Sequence, residues 1–383
     1  MKDPSQAFPQ AAEAAAHFRM PGRLSRIEPV GGGHINDTYR LVFTRDGRLR
    51  RYILQRVNRR VFRDPVSQME NIERVLRHLK AKAEGARRAL RLVPARDGSA
   101  LWRDPAGETW RATAYIEGTR TLTVARTPAQ AYQAARAFGR FQLLLSDLGG
   151  SRLRETLPHF HDTPRRVAAF RNALSEDRLG RARRVRREAD CVLSHEPAAG
   201  VIEELKARGA IPERVVHNDT KIDNVLFDAA TGEGLCVVDL DTVMTGVSLH
   251  DFGDLVRSAV SPAPEDETDL GKVALRMPVF EALARGYLEG AGAVLNGEER
   301  RLLAFSSRLI AFELGMRFLT DYLEGDVYFK IRRPGHNLDR CRSQLRLAEL
   351  LSLGEVEMDR VVQGLERELS SGRARGRTRG CGG

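Results

Sequence analysis

The sequence predicts an α+β protein with two lobes, a small β-rich lobe followed by a larger helical lobe. Three observations support this fold class. The 383 residues are enough for one large domain or two ordinary ones, and the composition, 42% hydrophobic and 30% charged, is that of a globular protein. Apolar residues alternate with period two through the first hundred residues, as in half-buried strands. Beyond residue 117 they recur at helical spacing instead.

The small lobe is predicted to comprise residues 24–116. Strands are indicated where apolar and polar side chains alternate, at 26–30, 38–43, 51–57, 92–94, 101–102 and 110–116. Asp46-Gly47, between the second and third strands, is typical of a tight hairpin turn. Residues 69–82 carry apolar side chains on one helical face and predict a single helix. The Ala-rich residues 1–23 are predicted to form a helical extension ahead of this lobe.

The large lobe is predicted to comprise residues 117–369 and to be mostly helical. Helices are expected at 128–148, 164–174, 180–194, 198–208, 277–289, 297–320 and 337–369. Residues 214–241 are the one strand-like region of this half. Residues 370–383 are rich in arginine and glycine, and we predict a basic disordered tail there.

The charge pattern disfavours nucleic-acid binding. The formal net charge is +11, but the excess arginines concentrate in residues 178–187 and 372–383. Aromatic residues do not interleave with them, as a platform for single-stranded nucleic acid would require. We interpret 178–187 as a solvated helix face.

Other classes are disfavoured by cysteine spacing and hydropathy. The four cysteines lie far apart without a CxxC spacing, which argues against a zinc ribbon and a disulfide framework. Apolar runs stay short of the ~18 residues that a membrane span needs. The first 23 residues lack the continuous apolar core of a secretory signal. We therefore expect a cytoplasmic enzyme that is a monomer or a weak homodimer and has no membrane partner.

The residues that best indicate a chemistry lie in residues 215–227. This segment contains His217-x-Asp219-x4-Asn224, and an apolar strand then leads to Asp239. Kinase chemistry needs a carboxylate that accepts the proton of the attacking hydroxyl, which Asp219 could supply. It also needs ligands that hold Mg²⁺ against the phosphates, which Asn224 and Asp239 could supply.

The spacing also predicts how these residues come together. A hairpin after Asn224 is expected to return Asp239 to the same spot. In an extended segment Asp239 and Asp241 point to the same face, so Asp241 could also reach the site. A carboxylate alone is more often a surface or capping residue, but this joint spacing between apolar strands favours a site. His217 is expected to brace the loop backbone rather than to act in catalysis.

Gly31, Gly32 and Gly33 stand between two predicted strands and are followed by His34. Adjacent glycines let a backbone approach phosphates closely, although the same run is also typical of a tight turn. We interpret the run as a phosphate-binding loop because it lies in the small lobe, upstream of the catalytic segment.

These segments resemble the aminoglycoside phosphotransferase and choline kinase family, whose bilobal fold is similar to that of protein kinases, over about residues 24–360. Within that family the chain resembles the N-acetylhexosamine 1-kinases. The segments that carry the resemblance are Gly32–Asn36, Arg51–Gln55, His159–Pro164, His217–Lys221, Asp239–Thr242, Asp251–Asp254 and Gly315–Asp326.

The resemblance implies transfer of a phosphoryl group from ATP, with Mg²⁺, to the anomeric 1-hydroxyl of N-acetylglucosamine or N-acetylgalactosamine. It makes Asp219 the general base, and it makes Asn224 and Asp239 the metal ligands. Backbone atoms of Tyr115 and Ile116 would hold the adenine. The residues expected to contact the sugar are His34, Asp219, Asp241, Arg317 and Tyr328.

Three of the sugar assignments have plain structural alternatives. His34 could face solvent, and Tyr328 could be a packing residue. Arg317 could instead form an ion pair with Glu313, one helical turn earlier.

The chain departs from the wider kinase pattern at one position. Kinases carry a lysine on the third strand that grips the phosphates of ATP. No lysine occurs here between Lys2 and Lys80, and the matching position is Gln55, with Arg56 on the opposite face of the strand. We expect Gln55 to lie at the nucleotide site, with phosphate binding resting on Mg²⁺, the glycine loop and an arginine.

Asp251-Phe-Gly-Asp254 looks like the metal-binding Asp-Phe-Gly motif of kinases, but Asp239 already occupies the expected place. We expect Asp251 to cap a helix or to brace the catalytic loop.

Three alternative functions stay open. The first is a kinase of the same fold that acts on an aminoglycoside or an amino alcohol. The second is a nucleotide-binding pseudokinase, which the missing lysine suggests and which the presence of Asp219, Asn224 and Asp239 argues against. The third is nucleic-acid binding. The sequence leaves open whether the sugar has the gluco or galacto configuration.

Overall fold

A computed structural model of the chain describes residues 7–31, 35–82, 85 and 87–378, with side chains as far as residue 371. The chain divides into two compact units. Unit 1 contains the described residues up to Thr119 together with Leu153–Pro158. Unit 2 contains Arg120–Arg152 and the described residues from His159 onward.

Unit 1 is built on an antiparallel sheet with the strand order β1-β2-β3-β6-β4, in which β5 also pairs with β6. Its strands are β1 (Arg23–Pro29), β2 (Asp37–Arg45), β3 (Arg48–Val57), β4 (Leu92–Val93), β5 (Trp102–Arg103) and β6 (Thr109–Ala114). Asp46 and Gly47 join β2 to β3 with φ of 51° and 71°, which is the left-handed conformation of a tight hairpin turn. A two-residue strand, β7 (Thr119–Arg120), follows.

One face of this sheet packs on the N-terminal segment. Helix α1 (Pro9–Ala16) is followed by Phe18 and Met20, and their side chains enter the same core as Leu54 and Trp110. The N-terminal residues were expected to form an extension ahead of the lobe. The described part instead belongs to the core of unit 1, because its alanines allow close packing and the side chains of Phe18 and Met20 pack with those of the sheet.

The second helix of unit 1 is α2 (Pro65–Lys82), which begins four residues before the predicted start. Asp64 fixes that start, since its carboxylate accepts hydrogen bonds from the backbone N–H and the hydroxyl of Ser67 at 3.1 and 2.6 Å. Met69 of α2 lies against Arg111 of β6. The helix therefore lies on the sheet face opposite Leu54 and Trp110.

Unit 2 is mainly helical. Its helices are α3 (Pro128–Leu145), α4 (Thr163–Glu176), α5 (Arg186–His195), α6 (Val201–Ala207), α7 (Ser248–Ala259), α8 (Met277–Ala291), α9 (Gly297–Arg301), α10 (Leu303–Glu324) and α11 (His336–Thr378). Caps set several of the starts: Thr127 accepts the N–H of Gln130, and Asn296 forms a capping box with Glu299.

Several helix boundaries differ from the sequence prediction, and the helix expected at 297–320 is instead two helices, α9 and α10. α5 begins at Arg186 rather than 180, because Gly180 turns the chain at φ 63° and a 3₁₀ turn follows over Ala182–Arg184. α7 was predicted only as a helix opened by Asp251, yet it begins three residues earlier. α11 continues to Thr378, so the helix extends through much of the expected disordered tail.

The arginines of residues 178–187 are exposed, as expected, except for Arg181, which is half-buried. Arg181 donates to the Tyr322 carbonyl oxygen at 2.6 Å and to the Asp326 carboxylate at 2.8 Å. Its guanidinium lies 4.6 Å from the centre of the Tyr322 ring. This arginine therefore fastens the segment to the end of α10.

Four short strands of unit 2 form two antiparallel pairs. They are β8 (Arg214–Val216), β9 (Val225–Asp228), β10 (Gly234–Val237) and β11 (Met244–Gly246), with β8 paired to β11 and β9 to β10. The strand-like region predicted at 214–241 is thus a set of short strands separated by loops. Within the described part of the chain, no helix is both long and apolar enough to cross a membrane.

α3 and α8 approach each other closely because small residues line their contact. A Cβ atom placed on Gly286 would lie 2.4 Å from the Tyr132 carbonyl oxygen, and one on Gly290 would lie 2.7 Å from the Arg140 nitrogen. The backbones therefore touch, and a methyl group at either position would force the helices apart.

Gly286→Ala should lower the free energy of unfolding by about 1–3 kcal/mol, since the added methyl group meets backbone and not a side chain that can move. Gly364→Ala is the matched control, because the same substitution in α11 meets no atom within 4 Å. It should stabilise the protein by about 0.5–1 kcal/mol through helix propensity. Urea unfolding measures the change in the free energy of unfolding of both variants, and the two changes should have opposite signs. If both substitutions stabilised the protein, the close approach of α3 and α8 would be contradicted.

Candidate active site

The loop between β8 and β9 carries the predicted catalytic motif. The β9–β10 hairpin pairs Val225 with Val237, and the Val238 N–H continues the ladder by donating to the Asn224 carbonyl oxygen at 2.9 Å. The hairpin therefore returns Asp239 to the neighbourhood of Asn224, as the spacing predicted.

Three side chains of this loop form one polar cluster. The Lys221 ammonium lies 2.9 Å from Oδ1 of Asp219. The Asn224 amide nitrogen donates to Oδ2 of Asp219 at 3.1 Å and to the Asp219 carbonyl oxygen at 2.9 Å. These contacts fix the orientation of the carboxylate, and they turn the amide oxygen of Asn224 away from it.

Lys221 was not singled out from the sequence, although a signal was present. Lysine is rare in this chain, with seven lysines against 55 arginines, and one of the seven stands two residues after Asp219. Lysine has a compact ammonium that an arginine does not reproduce. A lysine at this position in an arginine-rich chain therefore indicates a role that needs its ammonium group.

The pKa of Asp219 is lowered from its ordinary value of 3.8 to about 2. Burial by itself would raise this pKa, but the charge and hydrogen bond of Lys221 outweigh burial. The pKa of Lys221 is raised in turn, because attraction to Asp219 and Asp223 exceeds the effect of its own burial. Asp219 and Lys221 are thus held as an ion pair at neutral pH.

His217 braces the loop backbone, as predicted. Its Nδ1 accepts the Asp219 N–H at 3.3 Å, so Nε2 is the nitrogen that donates to the Val238 carbonyl oxygen at 2.9 Å. The ring also packs edge-on against Phe138 and Phe141, with centroids 5.4 and 5.7 Å away. This histidine therefore connects the catalytic loop, the hairpin and α3.

Asp251 holds the catalytic loop through several hydrogen bonds. Its carboxylate accepts the N–H of His217 at 2.9 Å and the N–H of Asn218 at 2.7 Å, and Gln142 donates to it at 3.1 Å. The Thr220 hydroxyl donates to the Asp251 carbonyl oxygen at 2.5 Å. Burial raises the pKa of Asp251, while its hydrogen bonds and His217 oppose that rise.

Of the two roles expected for Asp251, the structure shows bracing and not capping. The residue lies inside α7, whose N-cap is Val247, and its side chain points to the loop. Its neighbours in the motif are structural too. Phe252 is fully buried, and a Cβ on Gly253 would lie 2.4 Å from the Ser306 carbonyl oxygen, so α7 and α10 need glycine here. Asp254 pairs with Arg257 at 2.6 Å.

The segment after β10 is not extended, which overturns the prediction that Asp239 and Asp241 point to the same face. Asp239 has φ 57° and ψ 60°, and Leu240–Thr242 form a 3₁₀ turn. The turn leaves Asp239 half-buried and Asp241 4% exposed. The left-handed conformation, which a short polar side chain tolerates, ends the strand earlier than the sequence indicated.

This turn is tied to the catalytic loop. The Thr242 hydroxyl donates to the His217 carbonyl oxygen at 2.6 Å, and the Asn218 amide donates to the Thr242 carbonyl oxygen at 2.9 Å. Asn218 itself has φ 65°. The segment that carries Asp239 is therefore positioned by the loop that carries Asp219.

A second network links the loop to α10. His161 contacts the Asn218 carbonyl oxygen at 3.2 Å through Nε2 and the Glu313 carboxylate at 2.8 Å through Nδ1. The Thr163 hydroxyl donates to the other carboxylate oxygen at 2.6 Å. Arg317 lies 4.0 Å from Glu313, so the ion pair that was the alternative to a sugar contact is present as a long contact. His161 was predicted only as part of a motif, and Glu313 only as a partner of Arg317, so the contact between them, across 152 residues, was not predicted.

Arg317 lies among aromatic rings. Its guanidinium is 4.8 Å from the ring centre of Phe160, 5.8 Å from that of Tyr328 and 5.7 Å from that of Phe329. The side chain of Arg317 is 10% exposed, whereas Tyr328 is 40% exposed. Cation–π contacts of this kind hold the guanidinium in place.

The loop that carries Tyr328 is organised by one carboxylate. Asp321 accepts the N–H groups of Val327, Tyr328 and Phe329 at 2.9, 2.7 and 3.0 Å. Asn337 donates to the same carboxylate at 2.8 Å. The conspicuous stretch from Gly315 to Asp326 thus holds Arg317 and Tyr328 in a fixed arrangement.

Unit 1 contains the predicted nucleotide-binding residues. Gln55 bonds to neighbours on both adjacent strands, and Arg56 lies on the opposite face, as predicted, with Asp37 at 2.5 Å. Gly31 is an exposed turn residue. Three predicted site residues, Gly32, Gly33 and His34, lie outside the described residues.

Tyr115 and Ile116 follow β6 directly. The Tyr115 N–H donates to the Arg51 carbonyl oxygen at 3.2 Å, and the Ile116 carbonyl oxygen accepts the Thr119 hydroxyl at 2.6 Å. These two backbone atoms are therefore engaged within unit 1.

The donor chemistry at Asn224 and Asp239 suits Mg²⁺. Magnesium takes oxygen ligands and is usually held by one or two protein groups together with substrate phosphates and water. An amide oxygen and a carboxylate are such a pair. Among the described residues there is no cluster of three or more His, Cys, Asp and Glu side chains that could hold a metal by themselves.

Asp251→Asn should lower the free energy of unfolding by about 1–3 kcal/mol. The asparagine side chain has one acceptor oxygen for the two backbone N–H groups, and its NH₂ group would face one of them donor to donor. Asp162→Asn is the control: Asp162 caps α4 by accepting the Arg165 N–H, and asparagine caps equally well. Urea unfolding compares the two variants. Equal stability of both would contradict the bracing role of Asp251.

Acid should weaken the protein through Glu313. Burial would raise the pKa of Glu313, but His161, Arg317 and Thr163 lower it from 4.5 to about 2. Because the folded pKa is the lower one, this carboxylate stabilises the fold above pH 4.5, and that stability is lost as the pH falls towards 2. The contribution is about 3 kcal/mol at neutral pH.

The Glu313→Gln variant should therefore be less stable at pH 7 and should lose less stability on acidification. Urea unfolding of both proteins at pH 7, 5, 4 and 3 measures the two slopes. Identical pH slopes for wild type and variant would show that Glu313 has an ordinary pKa.

Known structures share this fold at low sequence identity. A microcompartment-associated aminopropanol kinase matches with a TM-score of 0.58 and 17% identity, covering 92% of this chain and 98% of that chain. An aminoglycoside phosphotransferase from Alicyclobacillus acidocaldarius matches with a TM-score of 0.56 and 15% identity, covering 92% of this chain and 96% of that chain. A spectinomycin phosphotransferase in complex with ADP and spectinomycin matches with a TM-score of 0.56 and 11% identity, covering 94% of this chain and 98% of that chain. These likenesses show a kinase-like fold.

The sequence itself matches a family over most of its length. The match is to the phosphotransferase enzyme family and spans residues 26–303. That range contains the catalytic loop, the β9–β10 hairpin and Asp251. The chain therefore belongs to the phosphotransferase enzyme family of kinase-like enzymes.

Proposed function

We propose that this phosphotransferase is an ATP- and Mg²⁺-dependent kinase that phosphorylates the anomeric 1-hydroxyl of N-acetylhexosamines. The observation that carries the proposal is the cluster of Asp219, Lys221 and Asn224 on a loop held by Asp251. It offers a carboxylate for the attacking hydroxyl, a cation for the phosphoryl group and an amide oxygen for a metal.

In the proposed reaction the anomeric oxygen attacks the γ-phosphorus of ATP in line with the departing ADP oxygen. The new bond joins the sugar oxygen to phosphorus, the bond from phosphorus to the β–γ bridging oxygen breaks, and the hydroxyl proton passes to Asp219. Asp219 is a weak base, because its pKa is about 2. Its main contribution is to orient the hydroxyl, which suits a loose transition state that demands little proton abstraction before transfer.

Lys221 is assigned to the phosphoryl group. Its ammonium lies beside Asp219, and so beside the oxygen that attacks. A fixed cation there offsets the negative charge on the transferring group. Mg²⁺, held by Asn224 and Asp239, would supply further charge neutralisation on the phosphates.

Unit 1 is assigned to the nucleotide. Gly31, Gly32 and Gly33 would lie against the phosphates, with Gln55 nearby. Since the Tyr115 N–H and the Ile116 carbonyl oxygen are already engaged, the adenine contacts are assigned to the Tyr115 carbonyl oxygen and the Ile116 N–H.

Sugar binding is assigned to His34, Arg317 and Tyr328, and the buried Asp241 is no longer included because the segment that was expected to present it is not extended. Tyr328 exposes a ring that fits the apolar face of a sugar, and Arg317 offers donors for its oxygens. Glu313 holds Arg317 and also contacts His161, which reaches the catalytic loop. The sugar contacts and the base thus share one support.

A cationic acceptor, such as an aminoglycoside or an amino alcohol, is the second candidate. Pockets for cationic substrates are typically rich in acidic residues, so the arginines of the C-terminal third argue against this candidate, but only in part. Arg308 and Arg333 pair with Glu355 and Asp339, so their charges are already matched. Arg317 makes only a long contact of 4.0 Å with Glu313, and it would repel such a substrate because it lies beside the exposed Tyr328.

ADP release should be observed with N-acetylglucosamine or N-acetylgalactosamine and should be absent with the methyl glycoside of the same sugar, whose anomeric oxygen is blocked. Asp219→Asn should lower kcat by about 10²–10⁴-fold while the Kd for ATP changes little. A coupled steady-state assay with glucose, kanamycin and choline as further acceptors measures this. Turnover of kanamycin or choline alone would overturn the acceptor, and full activity of the variant would overturn the base.

A further inference from the structure

Two arginines of unit 2 contact the same residue, Phe160. Nη2 of Arg166, on α4, donates to the Phe160 carbonyl oxygen at 3.0 Å. The guanidinium of Arg317, on α10, lies 4.8 Å from the centre of the Phe160 ring. Arg166 is therefore a near neighbour of Arg317, which is assigned to the sugar.

The two guanidiniums also act on each other. Burial lowers the pKa of Arg166, and the positive charge of Arg317 is the next largest cause in the same direction. The side chain of Tyr328 acts on Arg166 as well, and the centre of its ring lies 5.8 Å from the Arg317 guanidinium. Arg166, Arg317 and the exposed Tyr328 thus belong to one region of unit 2.

Arg166 has more hydrogen-bond donors than partners. Within the part of the chain that the structure describes, its Nε is buried without a hydrogen-bond partner, and its Nη1 makes no hydrogen bond either. Unlike Nε, Nη1 is not fully buried, so a ligand can reach it. A half-buried guanidinium with unused donors costs free energy, because it has lost contact with water without gaining acceptors.

Two carboxylates act on Arg166, and each is engaged with another side chain. Oε1 of Glu313 lies 2.8 Å from His161, and Oδ2 of Asp162 lies 3.3 Å from His159. Among the described residues neither carboxylate forms a hydrogen bond with Arg166, whose one bond goes to a backbone carbonyl oxygen. A ligand is therefore the remaining source of an acceptor for its unused donors.

We propose that Arg166, alongside Arg317, binds the acetamido carbonyl oxygen of the N-acetylhexosamine and thereby sets the preference for an N-acetyl sugar. A carbonyl oxygen has two lone pairs and can accept from both guanidiniums at once, whereas guanidiniums carry donors only. A hydroxyl group in its place would leave a guanidinium unpaired, and an ammonium group would be repelled. This inference rests on the proposed function, since it requires a sugar acceptor.

Arg166 also has a plain structural role, because its bond to the Phe160 carbonyl oxygen supports the ring beside Arg317. Loss of that support would weaken the binding of every sugar equally. Recognition of the acetamido group predicts instead that the effect depends on the substituent at carbon 2 of the sugar. Sugars that differ only at this carbon therefore separate the two roles.

The test is kcat/KM of the full chain for N-acetylglucosamine, glucose and glucosamine, and for their galacto counterparts. Arg166→Met should lower kcat/KM for the N-acetyl sugar by about 10- to 100-fold, the range expected for a lost charge-assisted hydrogen bond. It should leave kcat/KM for glucose within about twofold and raise that for glucosamine a few-fold, because one repelling charge is gone. Arg165→Met, at the exposed neighbouring position of α4, is the matched control and should change none of the three values.

An equal loss for all three sugars in Arg166→Met would overturn the inference, and so would an unchanged kcat/KM for the N-acetyl sugar. Where glucose is turned over too slowly, its inhibition constant against the N-acetyl sugar replaces its kcat/KM. If Arg166→Met does not fold, Arg166→Lys decides the question. It should weaken the N-acetyl sugar by a few-fold relative to glucose, and an unchanged ratio would overturn the role of the guanidinium.

The wild-type protein separates this inference from the proposed function. Equal use of glucose and the N-acetyl sugar by the wild type would overturn the inference and leave a sugar kinase in place. If the wild type phosphorylates none of these sugars, the proposed function itself fails, and this inference falls with it.

Discussion

Two successive backbone amides of the catalytic loop, those of His217 and Asn218, donate to the single buried carboxylate of Asp251. The arrangement of the catalytic loop depends on this pairing. Asn218 adopts a left-handed conformation, which leaves its N–H and that of His217 pointing the same way. A buried carboxylate costs free energy unless hydrogen bonds compensate it, and the two amides with Gln142 supply that compensation. Asp219 is the next residue in the chain, so the same hydrogen bonds restrict its position.

From that anchor the loop connects outward in three directions. Thr242 ties it to the turn that carries Asp239, and His217 ties it to the β9–β10 hairpin. His161 ties it to Glu313, and hence to Arg317 on α10. The candidate base, metal ligand and sugar contact therefore belong to one assembly of hydrogen bonds and ion pairs within unit 2. A substitution that breaks any one of these connections is expected to displace the residues held by the others.

Local patterns in the sequence predicted the parts of this assembly that depend on neighbouring residues. The Asp46-Gly47 turn, the hairpin that returns to Asn224 and the bracing role of His217 follow from short-range spacing. The left-handed Asp239 was missed, because a strand pattern continues through it and only the tertiary ties to Thr242 and Asn218 reveal the turn. The contacts of Glu313 with His161 and of Arg111 with Gln55 were missed for a different reason. They join residues 152 and 56 positions apart, and the register that pairs them is set by the folded sheet and helices.

The most direct measurement is phosphorus NMR of the product formed from ATP, Mg²⁺ and N-acetylglucosamine or N-acetylgalactosamine. We expect a new sugar-phosphate resonance coupled to the anomeric proton, which places the phosphoryl group on the 1-hydroxyl, and the relative rates would identify the preferred epimer. A phosphate on another hydroxyl would contradict the proposed orientation of the sugar towards Asp219. A phosphorylated product from kanamycin or choline alone would leave the catalytic loop as described and contradict the N-acetylhexosamine assignment.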